Sequence, residues 1–187
     1  MDLTGGALAL VVFSPIMLLC AAMIKLADPK GPVLFSQVRM GFNGRVFTIY
    51  KLRTMCVDAE SHGHAVRADA DDPRVIGLCR WMRRSHVTEL PQLINILRDE
   101  MSLAGPRPER PELFKELSRR LPNFDMRLAV KPGLTGIAQV KNGYDTDIAS
   151  VSRKLAFDLQ SIEQVSLGLD GRLLFSTISQ FQDSSAR

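Results

Sequence analysis

The chain has 187 residues, 45% of them hydrophobic, and a net charge of +4, enough apolar material for one domain or one domain with an appendage. The 3 cysteines, Cys20, Cys56 and Cys79, are odd in number and lack metal-ligand spacing, which argues against a disulfide framework and for reduced thiols in a cytosolic environment. The mild basicity favours anionic partners such as phosphates, lipid headgroups or nucleic acid, without choosing among them.

Leu3 to Ile24 carries no charge. As one helix it would be about 33 Å long, enough to cross a hydrocarbon core of about 30 Å. Ser14-Pro15 sits in its middle, where proline removes a helix hydrogen bond and pushes residue 14 away from αR. Three readings compete: a kinked transmembrane helix, a helix–break–helix that enters and leaves on one face, and a signal peptide. The last is disfavoured because no basic region precedes the apolar run. A buried soluble helix is the plain alternative. Asp28-Pro29-Lys30-Gly31-Pro32 is a turn or linker.

Val33-Leu34-Phe35 and Val46 to Tyr50 read as short strands, with a hairpin-type turn at Gly41-Phe42-Asn43-Gly44 between them. Lys51 and Arg53 fall on one face by the period of two, and Gln37 and Arg39 lie across the hairpin. These cations would line an anion pocket or guard a solvated strand edge. Residues 57 to 73 read as a polar loop. Its His62-Gly63-His64 run invites a metal reading, but no second cluster completes a coordination sphere. Val75 to Met82 reads as a short helix.

Arg83-Arg84 then precede Thr88-Glu89 and an apolar stripe at Leu90, Leu93, Ile94 and Leu97, which is one face of a helix. Thr88 is the expected N-cap, Glu89 would sit in the first turn, and Pro91 is tolerated there. Pro106-Arg107-Pro108 places a guanidinium on a stiff loop. A carboxylate at a helix start, bracketed by arginines, suits a phosphate or a metal–phosphate complex. Pro111 to Arg120 and Ser150 to Ile162 read as helices, and Pro132 to Gly136 reads as a loop. Leu167 to Ile178 is too short and too charged to span a bilayer.

Several motifs in order carry a resemblance over nearly the whole chain: the Ser14-Pro15 break, Gln37-Val-Arg39-Met-Gly41, Phe47 to Met55, Glu89-Leu-Pro-Gln-Leu93, Met101 to Pro108, and Lys131-Pro-Gly-Leu-Thr-Gly136 with Gln139. The chain resembles the bacterial sugar transferases of the monotopic phosphoglycosyl transferase superfamily. The resemblance implies an α+β monotopic membrane protein. Residues 1–27 would form a re-entrant helix broken at Ser14-Pro15, and residues 28–187 a cytoplasmic catalytic domain on the bacterial inner membrane. It implies transfer of sugar-1-phosphate from a UDP-sugar to polyprenol phosphate with release of UMP, as the first membrane step of exopolysaccharide assembly. Mg²⁺ is the implied cofactor, membrane lipids are implied partners, a homodimer is allowed, and nucleic acid is not a partner.

In the family an Asp attacks the β-phosphate and the next Glu binds the metal. Glu89 matches that Glu. Arg83 and Arg107 match arginines around the phosphates; Lys51, Arg53, Gln37, Arg39 and Gln139 are further substrate-binding candidates. The nucleophile position is occupied by Thr88, whose hydroxyl is neutral and needs a base. The change keeps an N-cap while removing a carboxylate, which suits an intact but catalytically impaired protein, or an inactive UDP-sugar-binding or scaffold member. Gly168 and Gln160 also depart, standing where an aromatic is usual. The basic residues that usually precede the apolar segment are absent, so the chain reads as a truncation or the catalytic part of a longer protein.

Overall fold

The computed structural model describes residues 2–57, 72–141 and 148–163. The polar loop with His62 and His64, the apolar stretch from Leu167 and the tail lie outside the described residues.

Helix α1, Asp2–Ala27, is continuous. Pro15 does not interrupt it, against the expected break, and the local chemistry shows why. Proline at position 15 cannot donate to the carbonyl four residues back, which is Val11. The Ser14 hydroxyl donates to that carbonyl instead, at 2.8 Å. Both ends of α1 are fastened to the rest of the molecule. At the start, Asp2 Oδ1 accepts hydrogen bonds from Ser102 Oγ and the Leu103 amide. Gly6 packs so closely on Ile96 that an added Cβ would stand 3.1 Å from its Cγ2. At the far end, Cys20 and Ile24 are fully buried in the main core with Cys79, Met82 and Ile96. The opposite face, with Leu8, Val11, Val12, Leu18, Leu19 and Leu26, is exposed.

Strands β1, Leu34–Met40, and β2, Val46–Leu52, form an antiparallel hairpin in the register Phe35 opposite Lys51 and Gln37 opposite Ile49. The turn places Asn43 at φ 53° and Gly44 at φ 75°, the left-handed region that Asn and Gly tolerate. The outer edge of β2 is closed by a side chain. Asn95, fully buried, donates to the Thr48 carbonyl at 2.7 Å and accepts from the Tyr50 amide at 3.3 Å, as a neighbouring strand would. Asn95 Nδ2 donates a further hydrogen bond to Glu100 Oε2 at 2.7 Å.

The expected helix from Thr88 to Leu97 is present in two parts: a 3₁₀ helix, Val87–Gln92, and α3, Leu93–Leu97. Thr88 is not the cap. The N-cap is His86 at φ 54°, and Thr88 lies inside the first turn. Ahead of it stands α2, Arg80–Arg84. Strand β3, Ser102–Ala104, pairs in parallel with β4, Gly133–Thr135, so the segment expected as a loop at 132–136 is partly a strand. Just beyond β3, Gly105 packs against Gly133 of β4: a Cβ on Gly133 would lie 2.1 Å from the Gly105 nitrogen. Helices α4, Pro111–Arg120, α5, Ile137–Lys141, and α6, Ile148–Glu163, complete the described chain. A second apolar cluster of Leu117, Leu121, Phe124 and Leu155 joins α4 to α6.

Candidate active site

Glu89 sits in the first turn of the 3₁₀ helix, beside β2. Both of its carboxylate oxygens are engaged. Arg107 forks onto it, Nη1 donating to Oε2 at 2.9 Å and Nη2 donating to Oε1. Lys51 Nζ donates to Oε1 at 3.1 Å. Burial alone would raise the Glu89 carboxyl, but the charges of Arg107 and Lys51 outweigh it and hold the group well below the ordinary carboxylate range. Burial lowers Lys51 from 10.5 to about 8, with Glu89 offsetting part of that cost and Arg107 adding to it. The site therefore holds one anion and two cations, with Arg39 close enough to act on the same charges. Its surplus is positive.

The remaining candidates divide. Arg39 donates to the Pro108 carbonyl and to Gln37 Oε1, so this pair borders the Arg107 loop. Its buried Nε has no partner among the described residues. Thr88 adjoins Glu89 in the chain and is half-buried. Arg53 is elsewhere. Strand β2 ends at Leu52, and the Arg53 guanidinium turns to Asp28 Oδ2, at 2.6 Å, and to the Asp28, Pro32 and Met55 carbonyls. It clamps the α1–β1 linker, where a Cβ on Gly31 would fall 2.4 Å from it. Arg83 lies within electrostatic reach of Asp72. Gln139 donates to the Leu134 carbonyl, and its buried Oε1 has no partner among the described residues.

The sequence reading missed a buried ionic cluster behind the Arg107 loop. Arg127 Nε donates to Asp158 Oδ2 at 2.8 Å, and Lys154 Nζ donates to Glu109 Oε1 at 2.9 Å. One signal existed. Asp158 interrupts the α6 stripe of Val151, Leu155, Leu159 and Ile162, and a charge on an apolar face implies a buried partner.

Glu89 is a single carboxylate, and the described residues hold no group of three His, Cys, Asp or Glu side chains suited to a metal. Such a donor set does not build an all-protein cage. It fits Mg²⁺, which is commonly held by one or two carboxylates together with substrate phosphates and water.

A carboxylate at a helix start thus lies between a forked arginine and a desolvated lysine, and comparison with known proteins shows the family of the chain. The bacterial sugar transferase family model matches residues 1–184. The chain belongs to the bacterial sugar transferase family. A UDP-N-acetylgalactosamine-undecaprenyl-phosphate N-acetylgalactosaminephosphotransferase of Aeromonas hydrophila is 41% identical over 95% of this chain and 42% of its own length. An undecaprenyl-phosphate glucose phosphotransferase of Komagataeibacter xylinus is 40% identical over 96% of this chain and 34% of its own. The exopolysaccharide production protein PSS of Rhizobium leguminosarum is 35% identical, with 95% of this chain and 90% of its own length aligned. The chain thus spans less than half of the first two relatives and most of the third.

Proposed function

We propose that this sugar transferase moves sugar-1-phosphate from a UDP-sugar to polyprenol phosphate at a membrane surface and releases UMP. The Glu89–Arg107–Lys51 triad carries this reading. Its two cations suit the diphosphate of the donor, and its carboxylate suits a metal shared with that diphosphate. Glu89 would hold Mg²⁺, whose chemistry there is to neutralise charge on the diphosphate oxygens. Arg107 and Lys51 would bind and orient the phosphoryl oxygens. An oxygen of the lipid phosphate forms the new bond to the β-phosphorus, the bond from that phosphorus to the bridging oxygen breaks, and UMP departs with the electron pair. Overall no proton is gained or lost.

Thr88 bears on whether the transfer passes through the protein. A threonine nucleophile must lose its proton to a base, and the carboxylate next to it in the chain, Glu89, is the group this reading gives to the metal. This favours a second reading for the same site, a binding or scaffold member that holds the UDP-sugar without turnover.

The attachment of both ends of α1 to one domain supports a monotopic placement. The continuous α1 would lie along the membrane surface with its apolar outer face in the cytoplasmic leaflet and both ends on the same side. The activity test is UMP release by the full chain in lipid nanodiscs with polyprenol phosphate, Mg²⁺ and either UDP-glucose or UDP-N-acetylgalactosamine. Release supports the transferase. Binding without release, restored by Thr88→Asp, supports the second reading. Absence of UDP-sugar binding in both chains sinks both.

A further inference from the structure

Arg107 reaches Glu89 from a loop that has few means of holding itself. Two of the residues from Pro106 to Glu109 are prolines and have no N–H. Each carbonyl from Pro106 to Glu109 nevertheless accepts a hydrogen bond, and the donors come from three separate segments: β4, the Phe124–Ala129 turn and the end of β1. The Gly133 amide donates to Pro106 O at 2.9 Å, Arg127 Nη2 to Arg107 O at 2.8 Å, Arg39 Nη1 to Pro108 O at 3.2 Å, and the Met40 amide to Glu109 O at 2.9 Å.

Among these donors Arg127 is built most deeply. Its side chain is 4% exposed and its partner Asp158 is 2% exposed. Phe124 lies under its guanidinium, 4.9 Å from ring centroid to Cζ. Nε on Asp158 and Nη2 on Arg107 O belong to one rigid plane, so Asp158 fixes the direction in which Arg127 presents its second donor. An isolated buried ion pair is weak evidence for stability, because apolar replacements often serve as well. A pair that also grips the main chain of the residue reaching into the active site has a further role.

We propose that Arg127, oriented by Asp158, is a positioning residue that sets where Arg107 meets Glu89 and thereby sets the anion affinity of the site. This rests on the reading of the triad as a diphosphate site. The side chain of Arg127 pairs with Asp158 and lies 3.7 Å from Glu109, and it acts on the site through the main chain of Arg107. Small misplacements of a positioning group cost large factors in binding and rate.

The test is a double-mutant cycle on the full chain, with UDP as the probe. Arg127→Lys keeps the charge beside Asp158 and loses the planar fork. It is expected to remain folded, to weaken UDP binding about tenfold, and to add little to the loss caused by Arg107→Ala in the double variant. Losses that add in the double variant, or wild-type binding by folded Arg127→Lys, overturn the proposal. Should Arg127→Lys fail to fold, Asp158→Asn, of nearly equal volume, takes its place with the same expectations. If the wild-type chain does not bind UDP, the diphosphate reading has failed. Positioning is then read from guanidinium NMR of Arg107, whose N–H exchange with water should quicken in the Arg127→Lys or Asp158→Asn chain; an unchanged rate overturns it.

Discussion

Arg107 and Glu89 form a forked ion pair across the mouth of the 3₁₀ helix, and Lys51 shares one of the same carboxylate oxygens. The pair joins a loop to a helix start that lie 18 positions apart in the chain. Removing the carboxylate leaves two cations facing each other. Glu89→Gln is expected to abolish metal-dependent UMP release by about 10²–10³-fold, the usual loss for one preorganised electrostatic group. A Glu89→Gln chain that turns over like the wild type would remove Glu89 from the site.

Thr88 is not a cap, and this separates its structural from its chemical role. Thr88→Ala should change stability by less than about 0.5 kcal/mol, whereas loss of a true N-cap costs about 1 kcal/mol. Thermal unfolding of the two chains decides it. Thr88→Asp should add a carboxylate without disturbing the helix start, and mass spectrometry after mixing with UDP-sugar should then show a sugar-phosphate adduct at residues 88–89.

Lys51 gives the site a pH dependence. Its ammonium is charged below about 8 and neutral above. Affinity for UDP should therefore fall as pH rises through about 8. Lys51→Arg, which stays charged, should lose that alkaline limb. Titration calorimetry at pH 7 and 9 reads both. The sign for folding is the reverse: a lysine pKa lowered on folding disfavours the folded state while the lysine is protonated, so this group's contribution improves as pH rises from about 8 towards 10.5.

Asn95 replaces a strand, so its loss should be felt in the whole hairpin. Asn95→Ala leaves the Thr48 carbonyl, the Tyr50 amide and Glu100 without their partner. A destabilisation of about 2–4 kcal/mol is expected from denaturant titration, since each buried unsatisfied group costs about 1–3 kcal/mol.

Gly133 tests the backing of the Arg107 loop. A methyl group there would collide with the Gly105 main chain, which cannot swing aside as a side chain could. Gly133→Ala should destabilise the chain by about 3 kcal/mol or more and weaken UDP binding together with it.

Local signals in the sequence served where local rules govern. The hairpin, α4 from Pro111 and a helix over Ser150 to Ile162, observed as Ile148–Glu163, follow from periodicity and turn residues. Glu89 and Arg107 follow from a carboxylate at a helix start and a Pro-Arg-Pro loop. Arg53 did not: alternation along β2 predicts its face only while the strand lasts, and the strand ends one residue earlier. Thr88 as a cap failed because the helix begins with a 3₁₀ turn led by His86. The parallel pairing of β3 with β4, the strand-like use of Asn95 and the Arg127–Asp158 pair depend on long-range partners, which periodicity does not encode.

A helix that crosses a bilayer has its length matched to the hydrocarbon thickness, and mismatch is relieved by tilt or by local thinning. Helix α1 is tied at Asp2 to Ser102 and Leu103, and near its other end through Asp28 to Arg53. With both ends held by one domain, its length answers to that domain. On the monotopic placement proposed above, its hold on a lipid surface would rest on the breadth of its apolar face, and vesicles of short-chain and long-chain lipids should bind the protein equally well.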